Sequence, residues 1–103
     1  MENAKTEFLT HIGNDTVFCA TIRIDKSGSH DEIHAHLKVG YTTDEYHDFL
    51  EQIDIQYDSG FGIMMLHGQI WYLDHTWSTR GEYDGSEWWQ KHKIPEIPEE
   101  LLK

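Results

Sequence analysis

Residues Gly68 to Pro98 gather all four tryptophans of the chain (Trp71, Trp77, Trp88, Trp89), two of its five tyrosines and both prolines. Any fold must bury most of those rings, and the local pattern restricts how. Ile70 and Tyr72 alternate with Trp71 and Leu73, which is strand periodicity. Thr76 to Arg80 is a second run rich in β-forming residues. Only Asp74 and His75 separate the two, so the spacing predicts a tight hairpin with Asp74 at a position of positive φ and His75 where glycine is preferred. A two-residue loop pairs Leu73 with Thr76, Tyr72 with Trp77 and Trp71 with Ser78. Ile70, Tyr72, Trp77 and Thr79 then form the core face, and Trp71 is left on the other face, needing a second layer, a tail or a partner.

Upstream, His67-Gly68 reads as another two-residue turn, which pairs Met65 with Ile70, Met64 with Trp71 and Ile63 with Tyr72 in a three-stranded meander. Downstream, Asp84-Gly85 is a turn signal. Ser86 is a candidate cap for a short helix carrying Trp88 and Trp89, which cannot both point inward from it. Residues before prolines avoid the α region, so Ile94 to Pro98 reads as extended, with Pro98 opening a last turn.

The first half supplies the remaining elements. Thr16 to Asp25 predicts a strand with Phe18, Ala20, Ile22 and Ile24 on one face. Glu32 to Val39 predicts a second, with Ile33, Ala35, Leu37 and Val39 inward and Glu32, His34, His36 and Lys38 on a wet face. Thr42 with Glu45 is a capping box, and Tyr46, Phe49, Leu50 and Ile53 recur at helical spacing, so residues 42–53 predict an amphipathic helix. Phe8, Thr10 and Ile12 alternate before the Gly13-Asn14-Asp15 turn, favouring a first edge strand over a helix. The expected fold is α+β in one domain spanning 1–103. It is an antiparallel sheet of five to six strands, ordered (β)ββαβββ with one helix on a face, then a short C-terminal helix, and an extended acidic tail over 94–103 packed with the tryptophans along an edge.

Charge narrows the function. Eight Lys and Arg face 19 Asp and Glu, a formal net charge of −11. That opposes direct binding to nucleic acid or to anionic membranes. Between Lys38 and Arg80 there is no Lys or Arg, but there are seven acids: Asp44, Glu45, Asp48, Glu51, Asp54, Asp58 and Asp74. Acids at the C-terminal end of the helix gain nothing from its dipole, which points to a use outside folding. The single cysteine, Cys19, forms no intramolecular disulfide, has no neighbouring base and reads as a small core residue of a cytoplasmic protein. No signal peptide, transit peptide or membrane span is evident.

Catalytic patterns are sparse. Ser78 and Ser86 sit in no nucleophile elbow, and Gly60-x-Gly62 lacks the rest of a phosphate loop. No cofactor is expected, and the chain reads as non-enzymatic. Among eight histidines, His34 and His36 share a strand face beside Glu32, the best two-ligand start for a metal; His30, His47, His67 and His75 are possible third ligands, yet no motif completes the set. Arg80, one of two arginines, predicts an ion pair with Glu82 or a stack on Trp71.

The run Gly68-Gln69-Ile70-Trp71-Tyr72-Leu73-Asp74, with Thr76-Trp77, Arg80, Glu82 to Trp89 and Pro95 to Pro98, resembles a C-terminal block of small accessory proteins of tailed bacteriophages. The resemblance covers roughly the last third of the chain. It departs at His75, where the family pattern has glycine. It brings no activity and no catalytic residues. It implies a small protein made in a bacterial host cytoplasm that acts by binding host machinery. Together with the charge pattern it predicts an interaction module that inhibits a host nucleic-acid-binding or defence protein with a basic surface. The expected contact residues are Asp44, Glu45, Asp48, Glu51, Asp54, Asp58, Trp71 and Trp88. A His-rich metal-binding or hydrolytic domain and a homodimer joined through exposed tryptophans are the alternatives.

Overall fold

The computed structural model describes residues 2–25, 32–57, 65–83 and 86–102. Their order is β1 (Glu2–Asn3), α1 (Ala4–Ile12), β2 (Val17–Asp25), β3 (Glu32–Leu37), α2 (Thr43–Gln52), β4 (Gln56–Tyr57), β5 (Leu66–Tyr72), β6 (Trp77–Tyr83), β7 (Ser86–His92) and a 3₁₀ turn (Glu99–Leu101). The class is α+β. A five-stranded antiparallel sheet runs β3-β2-β5-β6-β7, and β1 and β4 form a separate two-stranded ribbon. Both helices pack on the sheet face that carries Ala20, Ile22, Ile24, Ala35, Leu37, Ile70 and Tyr72.

The N-terminal segment is a helix, not the expected edge strand. Asn3 caps it, its side-chain oxygen accepting the Thr6 N–H at 2.9 Å, and Gly13 closes it with φ 55°. The deciding spacing is Ala4, Phe8, Ile12, one turn apart each time; all three are buried, whereas Thr10 is exposed. Phe8 meets Phe49 edge-on at 5.5 Å, joining α1 to α2. The second helix matches its expected bounds closely. Its capping box is complete, with the Glu45 N–H donating to Thr42 Oγ1 at 3.1 Å and the Thr42 N–H to Glu45 Oε1 at 3.0 Å. Phe49 and Ile53 are buried, and Tyr46 and Leu50 pack around them.

Strands β2 and β3 follow the expected alternation with two exceptions. A bulge between Val17 and Cys19 turns Val17 into the core and Phe18 out of it. Val39 lies beyond β3 and is exposed. The turn expected at His67-Gly68 does not form: β5 passes straight through both residues alongside β2. Gly68 serves close packing instead. A Cβ there would sit 2.6 Å from the Thr21 carbonyl oxygen and 3.0 Å from the Trp89 ring. The former partners Ile63 and Met64, the Gly60–Gly62 kink, the loop at 26–29 and the Asp84-Gly85 turn lie outside the described residues.

The hairpin between β5 and β6 exists, but its register is one residue from the expected one. Trp71 faces Trp77 and Ile70 faces Ser78. The loop has three residues. The Tyr72 carbonyl accepts the His75 N–H at 3.2 Å, and the Tyr72 N–H donates to the Thr76 carbonyl at 3.0 Å. His75 occupies the left-handed region with φ 70°. Asp74 anchors the loop by accepting both the N–H and the hydroxyl of Thr76, which hold its carboxyl below the ordinary range. One step of slip exchanges the faces of a whole strand. Ser78 and Arg80 therefore point into the core, and Trp77 and Thr79 point out. Left-handed backbone disfavours a Cβ by about 1–2 kcal/mol, while glycine loosens the unfolded chain by about 0.4–1 kcal/mol. His75→Gly is accordingly expected to stabilise the protein by about 0.5–1 kcal/mol, read as a higher urea midpoint at unchanged slope.

Residues 86–92 form β7, an edge strand, in place of the expected helix. Strand alternation then separates the two adjacent rings: Trp89 is buried, and Trp88 points to the opposite face against Gly81. The tail past His92 does not pack its apolar residues along this edge, because Ile94, Ile97, Leu101 and Leu102 are all exposed.

Candidate functional site

Successive residues of an α-helix advance by about 100°. Asp44, Asp48 and Glu51 therefore fall within about 60° of arc, centred opposite the Tyr46–Phe49–Leu50–Ile53 stripe. All three are exposed and form no ion pair among the described residues. Glu45 flanks them but is committed to the cap. Asp54 is exposed beyond the helix and accepts from Asn3 Nδ2 at 3.0 Å. Asp58 lies outside the described residues.

The tryptophans expected to share this surface do not. Trp71 and Trp88 are 37% and 40% exposed on the sheet face turned away from both helices. There Trp71 faces Trp77, which stacks on His92 at 5.7 Å. A single flat partner cannot touch the α2 carboxylates and Trp71 together, because the sheet and its core lie between them.

His34 and His36 do share the open sheet face. His34 Nε2 bonds Glu32 at 3.0 Å and His36 Nδ1 bonds Thr21 at 3.1 Å. Among the described residues no group of three or more His, Cys, Asp or Glu side chains is placed to hold a metal. His30 lies outside them.

The most elaborate polar cluster is one the sequence did not announce. Arg80 is 2% exposed at its side chain and pairs with Glu7 at 2.6 Å and Glu87 at 2.7 Å, not with Glu82. It donates to the Leu66 carbonyl and the Tyr57 hydroxyl, both at 3.2 Å, and lies over Trp89, not Trp71, at 5.2 Å. Tyr57 donates to Glu7. Glu87 also accepts the N–H groups of Met65 and Leu66 at 3.0 and 3.1 Å. Burial works against charge on Arg80, but its hydrogen bonds to Glu7 and Glu87 outweigh that and raise its pKa. Burial and the hydrogen bond to Glu7 push the Tyr57 hydroxyl far up. The Arg80 guanidinium, the Glu7 and Glu87 carboxylates and the Tyr57 hydroxyl bind one another, so the cluster reads as structure. The usable signal was the spacing of Glu87, Trp89 and Lys91, one strand face carrying one acid, one ring and one base.

Beside it, Ser78 is wholly buried between Tyr72 and His11, with both contacts at 2.8 Å. Burial lowers the His11 pKa below 6.5, and Lys91 and Arg80 add to this against the weaker pull of Asp15 and Glu7. The sign of the pH effect follows. A folded-state pKa below the unfolded one means the unfolded chain binds the proton more readily. This contribution is complete above pH 6.5 and is lost as pH falls through the depressed folded value. A His11→Gln variant is expected to lose less stability than the parent between about pH 7 and pH 5.5, measured by urea titration at each pH. Parallel curves for the two proteins would show that His11 is not the group.

No helix among the described residues is long and apolar enough to cross a membrane. Compared with family models, curated proteins and solved structures, the chain matches none.

Proposed function

We propose that this protein is a non-enzymatic interaction module whose α2 face occupies a basic surface on a partner protein, of the kind that ordinarily holds a nucleic-acid backbone. The observation that carries the reading is the alignment of Asp44, Asp48 and Glu51 on one exposed helical stripe with no paired cation among the described residues. Seven residues of helix rise about 10.5 Å, so the stripe offers one charge per roughly 5 Å. One strand of B-DNA offers one per about 3.4 Å. The helix thus has about two-thirds of the linear charge density of a nucleic-acid strand, on a rigid rod that loses no order on binding. The resemblance of the Gly68–Pro98 block to phage accessory proteins supports a target in a bacterial host.

The test is Asp44→Lys, Asp48→Lys and Glu51→Lys combined. Like charges facing each other at an interface cost several kcal/mol, so capture of a basic partner from nuclease-treated bacterial lysate is expected to weaken at least about a hundredfold. Capture by the parent should also release at high salt. Unchanged capture by a triple variant with a native circular dichroism spectrum would refute the reading.

A further inference from the structure

Antiparallel register lines up side chains across the strands of a sheet. On the face turned away from both helices it produces two unlike rows. The first holds Cys19, Trp71, Trp77 and His92, on β2, β5, β6 and β7. The second, two residues along, holds His36, Thr21, Gln69, Thr79 and Gln90, one from each strand. Two residues further still, Trp88 lies over Gly81, where a Cβ would come within 2.8 Å of its ring. Strand residues advance by about 3.4 Å, so the Trp77 and Trp88 positions are about 14 Å apart with the polar row between them.

At the hairpin end this face is concave. A cavity of about 370 Å³ is lined by Phe18, Trp71 and Trp77 and by Gln69, His75 and Thr76. Its size is in the range of recognition pockets. Two local irregularities converge on it. The bulge in β2 turns Phe18 out of the core and into the cavity wall. His75 holds left-handed backbone at φ 70°, where glycine would be less strained. Strain kept at a cavity wall is a sign of use there.

Charge and hydrogen bonding say what fits. Asp, Glu, Lys and Arg make up 26% of the chain, yet none stands in either row or lines the cavity among the described residues. With a net charge of −11 and no cation on the site, phosphates and carboxylates are repelled, so the occupant is neutral. His36 holds the Thr21 hydroxyl at 3.1 Å and His92 holds the Thr79 hydroxyl at 2.7 Å. The side-chain amides of Gln69 and Gln90 make no hydrogen bond among the described residues. A purely apolar occupant would bury those amides unmatched. A pyranose sugar suits both rows. Its C–H face stacks on the negative face of an indole ring, and its hydroxyl rim pairs with neutral amides and hydroxyls. Ring positions about 14 Å apart need several sugars in line.

We propose that this face binds a neutral oligosaccharide, with one sugar seated in the cavity against Trp71 and Trp77 and the following ones crossing Gln69, Thr79 and Gln90 towards Trp88. The site is independent of the α2 stripe, which lies across the core from it.

The test uses the full chain with hexasaccharides of β-1,4-glucose, α-1,4-glucose and β-1,4-N-acetylglucosamine. Glucose, N-acetylglucosamine, hexagalacturonate and hexauridylate are the controls. Binding is read by titration calorimetry and tryptophan fluorescence. At least one neutral hexasaccharide is expected to bind at least about tenfold more tightly than its own monosaccharide and than either anionic control. Trp71→Ala and Gln90→Ala should each weaken it at least about fivefold, and Gln90, being exposed, can be changed with little risk to the fold. His75→Gly should weaken it at least about threefold while raising the urea midpoint, which separates loss of the site from loss of the fold. Failure of all three hexasaccharides to bind would overturn the proposal, as would equal binding of hexagalacturonate or hexauridylate. So would binding unchanged by both Trp71→Ala and Gln90→Ala, or binding abolished by the α2 triple reversal. Sedimentation showing a dimer dispersed by Trp71→Ala would overturn it in favour of a second copy on this face.

Discussion

Arg80→Met is expected to destabilise the protein by about 3–5 kcal/mol, the range for removing one partner of a buried ion pair. The reason lies in what stays behind. Glu87 is 1% exposed at its side chain and would keep its two backbone N–H donors but lose its counter-charge. Glu7 and Tyr57 would lose the cation that holds them together. Domains of this size hold only about 5–15 kcal/mol in total, so Tm should fall by roughly 15 °C or more. Arg80→Lys keeps a charge but cannot span both carboxylates, and should fall between the two. In the double variant Arg80→Met with Glu87→Gln, the loss should be smaller than the sum of the single losses, because the second change removes the stranded charge. Chemical denaturation of the parent, the three single variants Arg80→Met, Arg80→Lys and Glu87→Gln, and the double variant decides it. A loss under about 1 kcal/mol for Arg80→Met, the value typical of exposed pairs, would mean the cluster is open to water.

Phe8→Ala is expected to cost about 3–5 kcal/mol, as truncation of a wholly buried ring does. Thr10→Ala should change stability by less than about 0.5 kcal/mol, as exposed positions generally do. The contrast tests the helix directly. On a strand, Phe8 and Thr10 would share a face and both would matter. On a helix they lie about 200° apart, and only Phe8 reaches Phe49. Equal losses at the two positions would refute α1.

These two residues also show where sequence reading ran out. Alternation over Phe8, Thr10 and Ile12 and one-turn spacing over Ala4, Phe8 and Ile12 are both present in nine residues, and nothing local chooses between them. The choice is made at a distance, where Phe49 and the sheet bury Ala4, Phe8 and Ile12 from a helix, whereas a strand presenting the same three would carry Thr6 and Thr10 inward with them. The segment with Trp88 and Trp89 is similar. Ser86 can cap a helix, but strand geometry alone buries Trp89 while leaving Trp88 outside, and seven backbone pairings to β6 secure it. Gly68 was read as a turn because glycine permits one. It is present because Thr21 and Trp89 leave no room for a Cβ.

Charge, the α+β class, the α2 helix with its cap and carboxylate stripe, and the inward faces of β2 and β3 apart from Val17, Phe18 and Val39 were determined by the sequence alone. Each depends on periodicity or hydrogen bonds within about ten residues, and such patterns survive without knowledge of the rest. The register of the β5–β6 hairpin, the partners of Arg80 and the straight course of β5 were decided only by tertiary structure. Each joins residues distant in the chain, such as Glu7 with Arg80 and Asp15 with Lys91. For those, burial of a charge or a ring against a remote neighbour outweighs any local preference.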